Sequence, residues 1–249
     1  MMDRAARMRL RRQRAHRRGD LAEFLCRVHL RLRLWRIVAR QAILATGAEE
    51  RPLVFGGNDI PGVMMAGAMR SYLNRQAVAP GRSTVVFTTN DAGYRTAADL
   101  EAAGLAITAI VDSRADGGKT WQGRADVLRG ARIVDAHGGQ RLNGVSVETA
   151  SGTRRIEADA LAMSGGWSPV IHLACHRGAK PQWSNEAAAF LPPAAQEGLA
   201  VAGSAAGLVE TAACLGDGAA KAAAALKAIG FAAAEPAFAA ASEAARGSK

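Results

Sequence analysis

The amino-acid sequence predicts an α/β fold, and three observations carry that expectation. Three short apolar runs stop at glycine-containing turns: Ala42-Ile43-Leu44 before Ala45-Thr46-Gly47, Ala160-Leu161-Ala162-Met163 before Ser164-Gly165-Gly166, and Leu199-Ala200-Val201 before Ala202-Gly203-Ser204. Between the first and second of these lies a strand–helix–strand pattern, Thr84-Val85-Val86-Phe87, then residues 94–103, then residues 106–111. Buried strands that alternate with helices in this way form parallel sheets. At 249 residues and 49% hydrophobic, the chain can bury a real core and fits one large or two small domains.

Charge says less about function than the total suggests. The net charge is +10, but residues 1–40 hold 13 Arg, no Lys and only Asp3, Asp20 and Glu23, and the remainder is balanced. The basic character therefore belongs to a tail. Residues 1–31 admit three readings: a nucleic-acid arm, an organelle-targeting helix, or a disordered start foreign to the domain. We favour the third, because like charges at this density repel and no aromatic side chains are interleaved for base stacking. Nucleic acid is thus not the expected partner. Cys26, Cys175 and Cys214 are far apart, with no Cys-x-x-Cys, which points to a reducing, cytoplasmic compartment without a disulfide framework or zinc site. No uncharged apolar run approaches the ~18 residues of a membrane span.

In chain order, residues 32–40 alternate with period two, as a half-buried strand feeding Ala42-Ile43-Leu44 would. Thr46-Gly47 then ends that strand in a turn where glycine lets backbone approach a ligand and threonine can cap; an ordinary strand-ending turn reads the same way. Residues 53–63 read as loop and turn, and 64–75 as a helix with Met65, Met69, Tyr72 and Leu73 on one face, a stripe we take as core packing rather than a cofactor box. Ala79-Pro80-Gly81 marks a crossover.

The strand–helix–strand unit that follows is Rossmann-like. Of the three glycines that a dinucleotide fingerprint needs, Thr88-Thr89-Asn90-Asp91-Ala92-Gly93 keeps the last, where helix packs on strand. Asp112 stands where an acid would hold an adenosine ribose, with Arg114 beside it; we read a packing module without its ligand. Residues 132–136, 142–149 and 154–158 form a β-meander. Trp167 is either a ring-stacking residue or a packing plug on the Gly165-Gly166-Trp167-Ser168-Pro169 turn. His172 and His176 have no third ligand nearby and are read as surface or packing residues. Finally, residues 198–202 are a strand, Gly203-Ser204 its turn, and Leu208 the start of a helix running to Gly230. A strand that delivers small residues to a helix N-terminus leaves N–H groups pointed at one spot, which suits a pyrophosphate or ribityl chain.

Taken together, Ala45-Thr46-Gly47-Ala48-Glu49-Glu50-Arg51-Pro52, Pro61-Gly62-Val63-Met64, Tyr72-Leu73-Asn74-Arg75, Ser164-Gly165-Gly166-Trp167-Ser168-Pro169 and Cys214-Leu215-Gly216-Asp217-Gly218 resemble the alpha subunit of heterotetrameric sarcosine oxidase. The resemblance implies a FAD/NAD(P)-binding fold of the two-dinucleotide-domain type, with NAD in the first domain. It also implies a beta subunit whose flavin, FAD or FMN, oxidises a small-molecule amine such as sarcosine. Related alpha subunits of opine oxidases, amine dehydrogenases and cyanide synthases share the framework. On this scheme residues 32–80 and 159–231 are a partial first domain, 81–158 an inserted second one, and 232–249 an Ala-rich tail. The glycine-rich fingerprint expected upstream of Leu32 and the family's folate-binding half are not in the sequence, so a fragment is expected. The cofactor-binding candidates are Thr46, Gly47, Gly203, Ser204, Leu208 and Thr211, with no catalytic and no metal-binding residue. Ser204 replaces the carboxylate that many flavoproteins place before the last helix, which weakens a flavin there and is tolerable for NAD.

Overall fold

The computed structural model describes residues 38–116, 120–193 and 196–233. The expectations for residues 1–31 and for Cys26 lie outside the described residues, as do those for most of 232–249. The chain divides after Arg40, and the unit that begins at Gln41 holds the elements below. Of the strand expected over 32–40, only 38–40 are described, and they are exposed and not in a strand.

The centre is a five-stranded parallel sheet. Its strands are β3 (Val63–Met65), β4 (Ser83–Thr88), β5 (Ala106–Asp112), β6 (Asp126–Arg129) and β10 (Ala160–Ser164), ordered β3-β10-β4-β5-β6. Thr84 to Thr88 are buried without a break, as are all five residues of β10. A strand covered on both faces has no polar side to show, so its sequence is a near-continuous apolar run rather than an alternation. The sheet draws β3 and β10 from outside the 81–158 span expected for an inserted domain.

Helices α1 (Ala66–Gln76) and α2 (Asp91–Ala102) cover one face. There Met69, Tyr94, Ala97 and Leu100 pack on Val86, Ile110, Ala160 and Ala162; the two alanines of β10 leave room for the helices to come close. A meander of β7 (Arg132–Gly138), β8 (Leu142–Thr149) and β9 (Gly152–Ile156) covers the other face. Ile133, Val145 and Val147 meet Val85, Phe87, Leu161 and Met163 across it, and Phe55 packs edge-on against Phe87 at 6.0 Å. The expected methionine stripe is not one stripe. Met65 ends β3 and packs with the meander side, whereas Met69 lies in α1 and packs on the helix side. The helix starts at Ala66, two residues later than predicted, because Val63-Met64-Met65 pairs in parallel with Leu161-Ala162-Met163.

The remaining elements pair in twos. β1 (Ala42–Leu44) runs parallel to β14 (Leu199–Val201), β2 (Ala48–Glu50) pairs antiparallel with β11 (Trp167–Pro169), and β12 (Gln182–Ser184) with β13 (Ala189–Leu191). A short helix, α3 (His172–Cys175), follows β11, and a 3-10 turn, Gly203–Ala206, follows β14. The last helix, α4, is Thr211–Ala228, and none of its residues is buried.

Candidate functional site

Two crevices at the carboxyl ends of parallel strands are the places where such folds take ligands. The first lies beyond β1 and β14. Ala42 N–H donates to Gly198 O at 2.8 Å and Ala202 N–H to Leu44 O at 2.9 Å, so the strands end side by side. Each then enters a turn whose glycine has positive φ, Gly47 at 79° and Gly203 at 69°. This brings Gly47 and Ser204 together: a Cβ on Gly47 would stand 3.8 Å from Ser204 Oγ, so the backbone there is open to close approach.

The other candidates are placed unevenly. Thr46 Oγ1 donates to Val170 O at 2.5 Å, and Val170 N–H to Gly47 O at 2.9 Å, so the threonine holds the turn against the residue after β11. Thr211 is the first residue of α4. Leu208 is a correction: it does not begin the helix. Gly207, at φ 94°, ends the 3-10 turn in the left-handed region, and Leu208 N–H folds back to Gly203 O at 3.4 Å. Four residues, 207–210, therefore separate that turn from α4, with Glu210 at its N-cap position.

Sequence reasoning missed Asp217. Its Oδ2 accepts from Gly203 N–H at 2.9 Å, and Lys221 Nζ stands 3.9 Å from Oδ1 one turn on. Cys214, Asp217 and Lys221 fall at i, i+3 and i+7, one face of α4, and a Cβ on Gly203 would stand 3.7 Å from Cys214 Cβ. That spacing was the available signal. Glu50 was also missed. Its Oε2 accepts from Gly67 N–H at 2.7 Å in the first turn of α1, where a carboxylate meets the positive end of the helix. Burial holds its pKa above the ordinary glutamate value, against the lowering effects of Gly67 N–H, Ser164 and Arg70. Trp167, across β2–β11 from Glu50, is half-buried and packs near the same helix start, 3.8 Å from where a Gly67 Cβ would be.

The second crevice lies beyond β4, β5 and β10. Gly93 seats α2 on β4 so closely that a Cβ would fall 2.4 Å from Thr88 Cβ, the packing role expected of the third fingerprint glycine. Asn90 Oδ1 caps the helix by accepting from Ala92 N–H at 2.9 Å. Asp112 is fully buried and bonded to Arg114 and Tyr94. Burial pushes its pKa up and those hydrogen bonds more than offset that, leaving it below the ordinary range. Tyr94 is pushed up to about 12, by burial first and by its bond to Asp112 second. Among the described residues no cluster of His, Cys, Asp and Glu could hold a metal, and no helix is long and apolar enough to cross a membrane.

Layered parallel sheet, covering meander and paired strand ends define a class. The chain matches L-proline dehydrogenase from P. horikoshii with a TM-score of 0.60 at 23% identity, over 78% of this chain and 36% of that one. It matches thioredoxin reductase from Lactococcus lactis with a TM-score of 0.57 at 16% identity, over 74% and 64%. The fold is the Rossmann-like α/β fold of FAD/NAD(P)-dependent oxidoreductases.

Sequence relatives narrow the class. The sarcosine oxidase alpha subunit of Rhizobium meliloti is 59% identical over 199 residues, 80% of this chain and 20% of that protein. The corresponding alpha subunit of Corynebacterium sp. (strain P-1) is 43% identical over 213 residues, 81% and 22%. An opine oxidase subunit of Agrobacterium tumefaciens is 28% identical over 183 residues, 63% and 36%. The chain resembles a piece of the sarcosine oxidase alpha subunit, and it spans about a fifth of the length of the alpha subunits it matches. No protein-family model matches it.

Proposed function

We propose that this chain serves a sarcosine-oxidase-like amine oxidoreductase as an alpha-type component. It binds a dinucleotide, NAD in our reading, at the ends of β1 and β14. It also supports a flavin-bearing beta subunit on which a secondary amine such as sarcosine is oxidised. The observation that carries the binding reading is the parallel pairing of β1 and β14, which sets Gly47 against Ser204 at the carboxyl ends of both strands. The residues present fit the hydroxyl-bearing part of a dinucleotide: the Ser204 hydroxyl and the open backbone at Gly47 suit a ribose. They fit its pyrophosphate less well, since the Asp217 carboxylate occupies the Gly203 N–H and places negative charge there. When bound, such a group supplies a hydride acceptor or a structural clamp; this chain's residues contribute binding and orientation.

A titration of the full chain with NAD, alongside Gly47→Val, tests the reading. The substituted side chain meets Ser204 and strains a backbone at φ 79°, so at least a tenfold loss of affinity is expected. Equal affinity in both forms overturns it. The amine chemistry is tested by peroxide or dye reduction with sarcosine, with and without a beta-type subunit. Turnover by the chain alone would contradict the proposal.

The Gly203–Asp217 bond also favours a second reading, a scaffold that keeps the fold without the cofactor. That reading expects co-assembly with a beta-type subunit but no NAD binding even at millimolar concentration.

A further inference from the structure

The second crevice is filled from within. Beyond β5, Asp112 Oδ1 accepts from Arg114 N–H and from Arg114 Nε, each at 3.0 Å. Its Oδ2 accepts from Arg114 Nη2 at 2.9 Å and from Tyr94 Oη at 2.8 Å, with Arg129 Nη1 at 3.8 Å. An ionised carboxylate has about four lone-pair sites, and here four hydrogen bonds from the protein use them. None remains for the hydroxyls of a ribose, the group an acid at this strand end would hold.

The helix end is occupied too. Arg114 Nη2 reaches from Asp112 to Asp91 Oδ1, also at 2.9 Å, so one guanidinium spans from the end of β5 to the first residue of α2. Asn90 stands where a fingerprint has the glycine that lets backbone meet pyrophosphate. Its Oδ1 caps Ala92 N–H, and its Nδ2 donates to Ser164 O at 3.0 Å, which joins the ends of β4 and β10 across the crevice together with Thr89 N–H at 3.1 Å. Cation, helix cap and cross-strand tie thus stand on the path from ribose acid to helix N-terminus that an adenosine diphosphate group would take.

We propose, independently of the reading of the first crevice, that Arg114 and Asn90 are specificity-determining residues that act as an internal ligand. They satisfy the acid and the helix end of the second nucleotide-type crevice and exclude dinucleotides from it. Arg114 does so by charge and hydrogen bonding, Asn90 by bulk and capping. The exclusion is built into the wild-type chain, and the Rossmann-like packing, anchored by Gly93 on Thr88, is kept for structure.

The experiment uses the full chain and an azido-adenine analogue of NAD as photoaffinity probe, with labelled peptides mapped by mass spectrometry. Two proteins are compared: wild type and the double variant Asn90→Gly with Arg114→Gln, glycine being tolerated at an N-cap. In the wild type no label is expected within residues 84–114. In the double variant, provided its far-UV circular dichroism matches wild type, labelling there should rise at least tenfold. Label within 84–114 of the wild type, or a folded double variant that gains none, overturns the proposal. Should the double variant not fold, the wild-type map decides by itself: label in 84–114 overturns the proposal and its absence there upholds it. Wild-type label confined to residues 44–48 and 203–211 supports both this proposal and the first-crevice reading. Absence of label anywhere supports this proposal and counts against that reading.

Discussion

The five-stranded sheet with its two covers and the paired strands around α4 are built from similar ingredients and end in opposite conditions. The sheet buries both faces: Leu161, Val85 and Val147 are closed off on the meander side, Met69, Leu100 and Ile110 on the helix side. Its polar groups are likewise closed, with Asp112 at no exposure and fully bonded. The paired strands have an 18-residue helix with nothing buried, and Ile43, Leu215 and Leu226 lie exposed along it and β1. Yet their two strand ends meet at open glycine turns. The region that resembles a finished nucleotide module has the polar groups at its strand ends paired internally, and the region with the Gly47 and Gly203 turns has little core.

The largest effect that sharpens this contrast is electrostatic. Arg114→Ala removes two of the four hydrogen bonds to the buried Asp112 carboxylate and leaves Arg129, at 3.8 Å, as its nearest cation, so it should destabilise by about 2–4 kcal/mol. Lys221→Ala in α4 removes an ion pair to Asp217 at 3.9 Å on a half-exposed helix and should change stability by less than about 0.5 kcal/mol. Urea unfolding of both variants measures the gap. Losses of similar size would dissolve the distinction between the regions.

Glycine substitutions give a smaller effect with opposite signs. Gly93→Ala drives a methyl into Thr88, whose Cβ would be 2.4 Å away on a buried strand, and should cost about 1–3 kcal/mol. Gly216→Ala in α4 meets nothing within 4 Å and replaces a poor helix former in mid-helix, so it should stabilise by up to about 1 kcal/mol. Thermal denaturation of the pair checks both signs, and a destabilising Gly216→Ala would mean that α4 is packed more tightly than its exposure implies.

How much of this was legible follows from how each feature is encoded. β4, β5 and β10 could be read because strands buried on both faces carry short, nearly unbroken apolar stretches, and β8 because Val145 and Val147 alternate with polar residues between two glycine-containing turns. β3 and β6 could not. Val63-Met64-Met65 is too short to show a period and runs directly into α1, so it reads as the helix start, and Asp126–Arg129 carries charge at both ends of an edge strand. At the first crevice, Thr46-Gly47 and Gly203-Ser204 were readable as turns after strands. Leu208 misled because its apolar spacing continues that of α4, while the left-handed Gly207 that interrupts the backbone has no local signature beyond being glycine. Asp217 and Glu50 bind backbone amides 14 and 17 residues away, and a pairing at that distance is set by tertiary packing rather than by local pattern. Arg114 was visible as a neighbour of Asp112; that it also reaches Asp91 depends on the turn after β5.

Glu50 joins the two regions, and its titration is the finest probe of how they depend on each other. It lies on β2, among the paired strands, and its carboxylate receives Gly67 N–H at the start of α1, which belongs to the sheet module. Because burial raises its folded-state pKa above the unfolded value, the folded chain binds the proton more tightly than the unfolded one. The stability this contributes is fully present below the unfolded value, about 4.3, and is lost as pH rises through the raised folded value. Asp112 acts in the opposite sense and in a lower window: its folded pKa is depressed, so its contribution is present above about 3.9 and is lost as pH falls through the folded value. The two can therefore be separated. Glu50→Gln keeps an acceptor for Gly67 N–H and removes the charge, so the difference in melting temperature between wild type and variant should shift in favour of the variant as pH is raised through that upper window. It should be flat at more acidic pH, where Asp112 titrates in both proteins. A difference that is constant across the whole range would show that Glu50 is not held in the buried contact with α1.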